Sequence, residues 1–372
     1  EHVLGTTAPL YAMLLALGIK AGLPGLAFGK GLTILADASL CVAVYTWLRT
    51  LGQERAGRLA ALLVALSPRL VHWSVSGMGM SLVTLGAICT WIAFARGRYR
   101  TAYAILALLF IARWDSLVLT LAFTLAVTFR QRRLPLGGLA VFALVVAPWV
   151  AFATWYFGSP IPVTWAAKAA VQSRVLGPAI APYWRELVHL FVASAWDALL
   201  SLAAFAGLLR VLARRRTAFF PALVWYGVFW GVFLLSRAAP SDRYALSSYP
   251  VYLGLAAIAV VALADRLSAL APRAERWALP ALAGAAALLA FTALLPEQRR
   301  LASNQAYEQR VRAPVGRWLS EHGAPHDRVL VTSQSSIGYF GYYSGLAMID
   351  PKGLVTPTAL PFWQKSYAYP DL

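Results

Sequence analysis

The chain alternates long apolar runs with short loops rich in arginine. A helix that crosses a bilayer needs about 20 mostly apolar residues. Ten runs are candidates: 30–48, 57–75, 79–95, 102–112, 115–129, 136–156, 192–213, 218–236, 247–264 and 277–295. The fourth and fifth are short and Arg113-Trp114-Asp115 separates them, which predicts a tight helical pair with its turn in or near the membrane. The run Pro9–Ile19 is short for a span and reads as an interfacial helix. The pattern changes in kind after residue 296. Val311, Val315, Trp318 and Leu319 fit an amphipathic helix, followed by a strand at Arg328–Thr332, a stretch rich in glycine and tyrosine at Ile337–Tyr343, and a strand at Leu346–Asp350. The expected architecture is an all-α polytopic membrane protein with about ten transmembrane helices over residues 1–296. A small extracytoplasmic α/β module is expected over residues 297–372.

Composition agrees. Of 372 residues, 60% are hydrophobic and 13% charged, against about 45–50% and 25% in soluble domains, so a soluble globular enzyme is excluded. The 14 Trp and 16 Tyr suit two interfacial aromatic belts. Cys41 and Cys89 both lie in apolar runs, which excludes a disulfide scaffold.

The formal charge of +18 is mostly an orientation signal. One alternating set of loops holds Arg49, Arg55 and Arg58, then Arg96, Arg98 and Arg100, then Arg130, Arg132 and Arg133, with further clusters at 210–216 and 266–276. This set outnumbers the cations of the other loops and should be cytoplasmic. Both ends of the chain and its tail then lie outside, in a plasma membrane of bacterial type. The chain opens at Glu1 in mid-pattern, so an upstream spanning helix and outer loop are expected to precede it.

Ionisable residues in or beside spans are costly and mark candidate sites. On the outer side these are Arg113 and Asp115 at the helical turn, Lys168 in the long loop 157–190, and Arg243 in the next outer loop. Cations converging there suit an anionic head group, since Arg grips phosphate bidentately and Lys acts as a point charge. Two other readings stand beside this: Arg113–Asp115 as a pair that fixes the turn, and Lys168 and Arg243 as snorkelling residues. Asp37 and Asp197 fall deep in spans and read as groups satisfied by a neighbouring helix. His72, His189, His322 and His326 lack metal-ligand spacing. There is no Walker loop and no nucleophile elbow, and the dispersed basic charge does not support a nucleic-acid partner.

Four stretches occur in a telling order: Gly5-Thr6-Thr7-Ala8-Pro9-Leu10-Tyr11; Val75-Ser76-Gly77-Met78-Gly79-Met80-Ser81-Leu82; Arg113-Trp114-Asp115; and Gly158-Ser159-Pro160-Ile161-Pro162-Val163-Thr164-Trp165-Ala166-Ala167-Lys168. Together they resemble the GT-C class of integral-membrane glycosyltransferases, which take sugars from polyprenyl-phosphate carriers at the outer face. The first is similar to the segment after that class's first outer loop. The second is similar to its Ser-Gly-Leu/Met-Glu-Thr-x-Leu motif and the third to its Arg-Pro-Asp/Glu turn. The fourth looks like the Gly-Asp-Pro-x-Pro-Asn-Thr-x-x-Ala-Lys loop of arabinofuranosyl- and mannosyltransferase-like members. Asp242-Arg243-Tyr244 is similar to the Arg-Tyr that opens a late helix, and Gly338–Gly345 with Ile349–Leu354 looks like the class's outer module. Gly79 departs from the pattern, where the class has an acid, and Trp114 where it has Pro.

The resemblance implies sugar transfer from a polyprenyl-phosphate donor to a hydroxyl of a glycan, lipid or protein acceptor, by single inverting displacement, in many members with a divalent cation (Mg or Mn). It implies that Arg113, Lys168 and Arg243 bind the donor phosphate and that Ser76, Thr164 and Tyr244 bind substrate. The catalytic acid of the class would lie upstream of Glu1, and Asp115 is the stand-in candidate. A transporter or flippase for anionic lipid-linked glycans, or a non-catalytic membrane scaffold, are the other functional classes open at this point.

Overall fold

The computed structural model describes residues 3–164, 185, 188–189, 191–215, 217–235, 242–332, 336–351, 353 and 355–359. Proline and glycine set many of the helix limits. Pro9 sits in the first turn of α1 (Pro9–Lys20), where its fixed φ suits a helix start. Then follow α2 (Gly25–Thr50), α3 (Glu54–Leu66), α4 (Pro68–Val75), α5 (Met80–Ala95), α6 (Tyr99–Ala112), α7 (Leu117–Gln131) and α8 (Leu136–Phe157). Beyond residue 190 come α9 (Ala195–Ala213), α10 (Phe220–Leu235), the one-turn α11 (Asp242–Ala245), α12 (Tyr249–Leu270) and α13 (Glu275–Tyr307). A π-helical turn at Glu308–Arg312 leads into α14 (Ala313–His322).

Among the described residues, five helical stretches are long and apolar enough to cross a membrane: Gly25–Thr50, Leu136–Phe157, Ala195–Ala213, Tyr249–Leu270 and Glu275–His322. Four shorter apolar helices accompany them: Pro9–Lys20, Met80–Ala95, Tyr99–Ala112 and Phe220–Val232. The chain is a multi-pass membrane protein. The single span expected at 57–75 is two helices instead. Ser67, which precedes Pro68, is held extended at ψ 117° and its hydroxyl accepts from Leu70 N at 3.4 Å, so one helix ends and the next begins there.

The chain divides into two compact units, Ala8–Ala147 with Ala179–Pro296, and Glu1–Thr7 with Pro148–Pro178 and Glu297–Leu372. The first is a helical bundle. Its core joins Leu40, Val44 and Leu48 of α2 to Ala60 and Val64 of α3 and to Ala87, Ile88 and Trp91 of α5. With no water in the bilayer to drive helices together, close packing at small residues does much of that work. A tight seam lies between α9 and α12, where Gly207 rests directly on the backbone of Leu255 and any Cβ at 207 would overlap the Leu255 carbonyl.

In the second unit Val163 N donates to Leu4 O at 3.2 Å. Strands β1 (Arg328–Leu330) and β2 (Ala347–Ile349) pair in parallel, with Val329 opposite Met348, and helix α15 (Ile337–Ser344) lies between them in sequence. Gly316 of α14 meets Tyr343 of α15 at a distance where a Cβ would stand 2.6 Å from the tyrosine Cβ. The Arg312 guanidinium lies over two rings, 5.0 Å from the centroid of Tyr307 and 4.8 Å from that of Tyr339, and 3.7 Å from Glu308. Burial, then the Glu308 charge, push the Tyr339 phenol up from its ordinary value.

Candidate active site in the helical unit

Helix α6 ends because Arg113 adopts an extended conformation, φ −158° and ψ 126°. Trp114–Ser116 then make one 3₁₀ turn and α7 starts. This geometry folds Arg113 back on Asp115. Nε donates to Oδ1 at 2.8 Å and Nη2 donates to Oδ2 at 2.6 Å, a bidentate charge-assisted pair. The two partners differ in exposure: the Arg113 side chain is 14% exposed and that of Asp115 is 45%. The carboxylate takes two of the five guanidinium donors. Trp114 packs its ring 5.7 Å from Phe110.

Arg113 and Asp115 open onto a cleft. Its other lining residues are Ser116 and Leu119 from the same turn and α7, Met80 and Val83 of α5, Trp225 and Phe229 of α10, and Ser247 from the segment before α12. The apolar wall continues inward, with Trp225 6.1 Å from Trp91 and Trp91 5.6 Å from Phe123. Trp225 Nε1 is buried with no hydrogen-bond partner among the described residues. The hydroxyls of Ser116 and Ser247 likewise make none there.

Two networks hold the walls. The first fixes the turn that feeds α5. Tyr11 OH donates to Gly77 O at 2.6 Å, and Thr33 Oγ1 donates to Ser74 O at 2.6 Å. Gly77 takes φ +71°, open to glycine without strain. At Gly79 an added Cβ would stand 2.9 Å from Tyr11 Cγ. Two of the stretches quoted separately above, those ending at Tyr11 and spanning Gly77–Gly79, are thus one packed unit in which Met80 begins α5. Ser76 is part of this turn: its Oγ donates to Trp73 O at 2.7 Å and accepts from Met78 N at 3.2 Å.

The second network anchors α12, whose first residue lies two positions after Ser247. Arg69 of α4 pairs with Asp197 of α9 at 3.4 Å, both side chains being largely buried. Ser194 Oγ accepts from Asp197 N at 3.1 Å and donates to Asp197 Oδ2 at 2.7 Å. Arg69 also lies 5.0 Å over the Tyr249 ring, which stacks on Tyr252. Asp197 therefore sits in the first turn of α9 rather than deep in a span. Its partner Arg69 was visible in sequence only as one loop cation among several.

None of the remaining candidates is among the described residues that line the cleft. Lys168 lies outside the described residues. Arg243 is half-buried in the one-turn α11, and Tyr244 belongs to the same turn. Thr164 belongs to the other unit, where its Oγ1 is buried with no hydrogen-bond partner among the described residues. Asp37 is buried in α2, and its Oδ1 has none either, unlike Asp197. No group of three His, Cys, Asp or Glu that could hold a metal occurs among the described residues. The one carboxylate in the cleft is engaged by Arg113, so this donor set does not by itself fit a divalent cation.

Residues 299–371 match the model of a domain of unknown function, DUF8728. No curated protein matches by sequence. Solved structures do match over nearly the whole chain. ArnT from Cupriavidus metallidurans bound to undecaprenyl phosphate superposes with a TM-score of 0.56 at 14% identity, covering 95% of this chain and 78% of that one. The Archaeoglobus fulgidus oligosaccharyltransferase in complex with Zn and sulfate gives 0.58 at 14%, covering 92% of this chain and 54% of that one. The same organism's AglB with an inhibitory peptide and a dolichol-phosphate gives 0.59 at 13%, covering 92% and 56%. This chain thus spans a little over half the length of the archaeal enzyme. At such identity the likeness establishes the fold alone, one shared with ArnT and the archaeal oligosaccharyltransferase.

Proposed function

We propose that this protein is a membrane glycosyltransferase that moves a sugar from a polyprenyl-phosphate carrier to an acceptor hydroxyl at the outer membrane face. The observation that carries the reading is the Arg113 guanidinium held at the cleft of a GT-C fold, with its planar fork fixed by Asp115. Support comes from two fold relatives determined with polyprenyl-type phosphates, undecaprenyl phosphate in ArnT and a dolichol-phosphate in AglB.

In this reading the acceptor oxygen attacks the anomeric carbon as the bond to the lipid phosphate breaks, with inversion at that carbon. The acceptor proton passes to a base, and the departing phosphate takes the bonding electron pair and gains one negative charge. Cations aimed at the leaving group lower the barrier because charge develops there. Arg113 supplies that charge at the cleft, and Lys168 and Arg243 supply it from the two following outer loops. Asp115 is a positioning residue for Arg113 or a stand-in for the base. Thr164 and Tyr244 contact the substrate, while Ser76 shapes the turn before α5. The shorter apolar helices complete a bundle of about ten crossings, and residues 297–372 form an outer module that faces the acceptor. Sugars of the arabinofuranosyl or mannosyl kind fit the resemblance of the loop at 158–168.

The test uses the protein in its native membrane with radiolabelled polyprenyl-phosphate sugars. Transfer should be abolished by Arg113→Ala and reduced by Lys168→Ala and Arg243→Ala. Unchanged transfer in all three overturns the site. Movement of the intact lipid-linked sugar across the bilayer without cleavage of the sugar–phosphate bond overturns the enzyme in favour of a flippase.

A further inference from the structure

We infer that Ser116, Ser247 and the N-terminus of α7 complete an oxyanion cradle around Arg113, and that this cradle takes a phosphate group. The inference rests on the reading of Arg113 as a phosphate ligand and assigns it two further ligands. The charged groups lining the cleft balance, one guanidinium against one carboxylate. Charge alone therefore does not favour an anion there, and neutral donors must decide.

Three such groups border the same cleft. Ser116 occupies the N-cap position of α7, yet its side chain makes no capping bond. An N-cap serine ordinarily accepts from the N–H two or three residues on. Here that hydroxyl, on a residue only 7% exposed, lines the cleft and has no partner among the described residues. A 3₁₀ turn runs into this 15-residue helix, so the Leu117 N–H already bonds to Trp114 O, and the N–H groups that follow it have no side-chain cap. A helix N-terminus carries partial positive charge and open donors, and binds phosphate for both reasons. Ser247 reaches the same cleft from the other side, with its hydroxyl also unengaged among the described residues. A phosphate has enough acceptor oxygens for two hydroxyls, a helix N-terminus and an arginine fork together. A sugar ring alone would leave the arginine without a counter-charge once Asp115 turned outward. Asp115 is the more exposed partner of the pair, and its carboxylate can swing to solvent as the phosphate arrives.

The experiment measures equilibrium binding of radiolabelled polyprenyl phosphate to the protein in phosphatidylcholine nanodiscs, with Ser116→Ala, Ser247→Ala and the double variant. Each single change should weaken binding about 5- to 10-fold and the double change more than either, as expected for hydrogen bonds to a charged group. KM for the donor should rise while kcat holds. Competition by inorganic phosphate and by phosphatidic acid separates a bare phosphate from a lipid headgroup, and either source supports the cradle. Binding that is unchanged in the double variant overturns it, as does a wild-type protein that binds none of the three probes. Serine-dependent binding without any sugar transfer leaves the cradle standing and overturns the proposed reaction alone.

Discussion

The ring of Tyr11 occupies the space that a side chain at position 79 would need: a Cβ there would stand 2.9 Å from Tyr11 Cγ and 3.1 Å from its Cβ. Where the resemblance implies an acid, a packed tyrosine ring takes the space instead. The same tyrosine ties its hydroxyl to Gly77 O, so glycine at 79 and tyrosine at 11 are one solution to one packing problem.

Gly79→Glu should therefore act as an overpacking change. The tyrosine must move, its bond to Gly77 O is lost, and the cost is roughly 1–3 kcal/mol. Thermal unfolding in detergent checks the size. Gly79→Glu combined with Tyr11→Ala should recover part of the loss, and failure of the pair to recover any would show that the tyrosine is not the obstacle.

Gly207→Ala meets a firmer obstacle, because what it strikes is the Leu255 backbone rather than a side-chain tip. Separating α9 from α12 forfeits contact along a whole seam, and a cost of about 3 kcal/mol is expected. A variant that unfolds at the wild-type temperature would refute the seam.

Asp197→Ala should cost about 2–3 kcal/mol, below the range for fully buried pairs because Arg69 keeps its place over Tyr249. The double change Arg69→Met with Asp197→Leu should restore most of that, since replacing both partners removes the stranded charge. Unfolding temperatures of the three variants decide.

Glu54 gives a dependence on pH. It accepts from Arg58 at 2.7 Å and from Tyr45 OH at 3.3 Å. The Arg58 bond and charge hold its carboxyl below the ordinary glutamate value of 4.5. A carboxyl depressed on folding stabilises fully above that ordinary value, and the contribution fades as pH falls through the lower folded value. The effect is small because the pair is exposed to solvent. Wild type should exceed Glu54→Gln in unfolding temperature near neutrality, and the two curves should converge in acid.

Much of the fold was legible because hydrophobic run length is a strong signal in a membrane protein. The helical pair around Arg113 and the strands at 328–330 and 347–349 lie where the pattern predicted them. The break at Ser67-Pro68 was missed because an apolar run masks a proline whose effect is local. The candidate cleft was legible in part. Arg113 and Asp115 announce themselves as charges between two apolar runs. Arg69 did not, because its meaning depends on Asp197, 128 positions away in sequence. Ser116 and Ser247 carry no pattern at all, and their interest comes only from sharing a cleft.

The α9–α12 seam constrains how the cleft can work. Its Gly207–Leu255 contact lies ten residues along α9, about 15 Å, and six residues along α12, about 9 Å, from the Asp197–Arg69–Tyr249 anchor. Two helices fastened at two separated points behave as a plate, unable to tilt or slide one past the other. In the proposed cradle, adjustment around a ligand then falls to the short segment that carries Ser247 and to the Asp115 carboxylate. The ordering cost of binding in that cradle falls on a few torsions there rather than on the helices behind them.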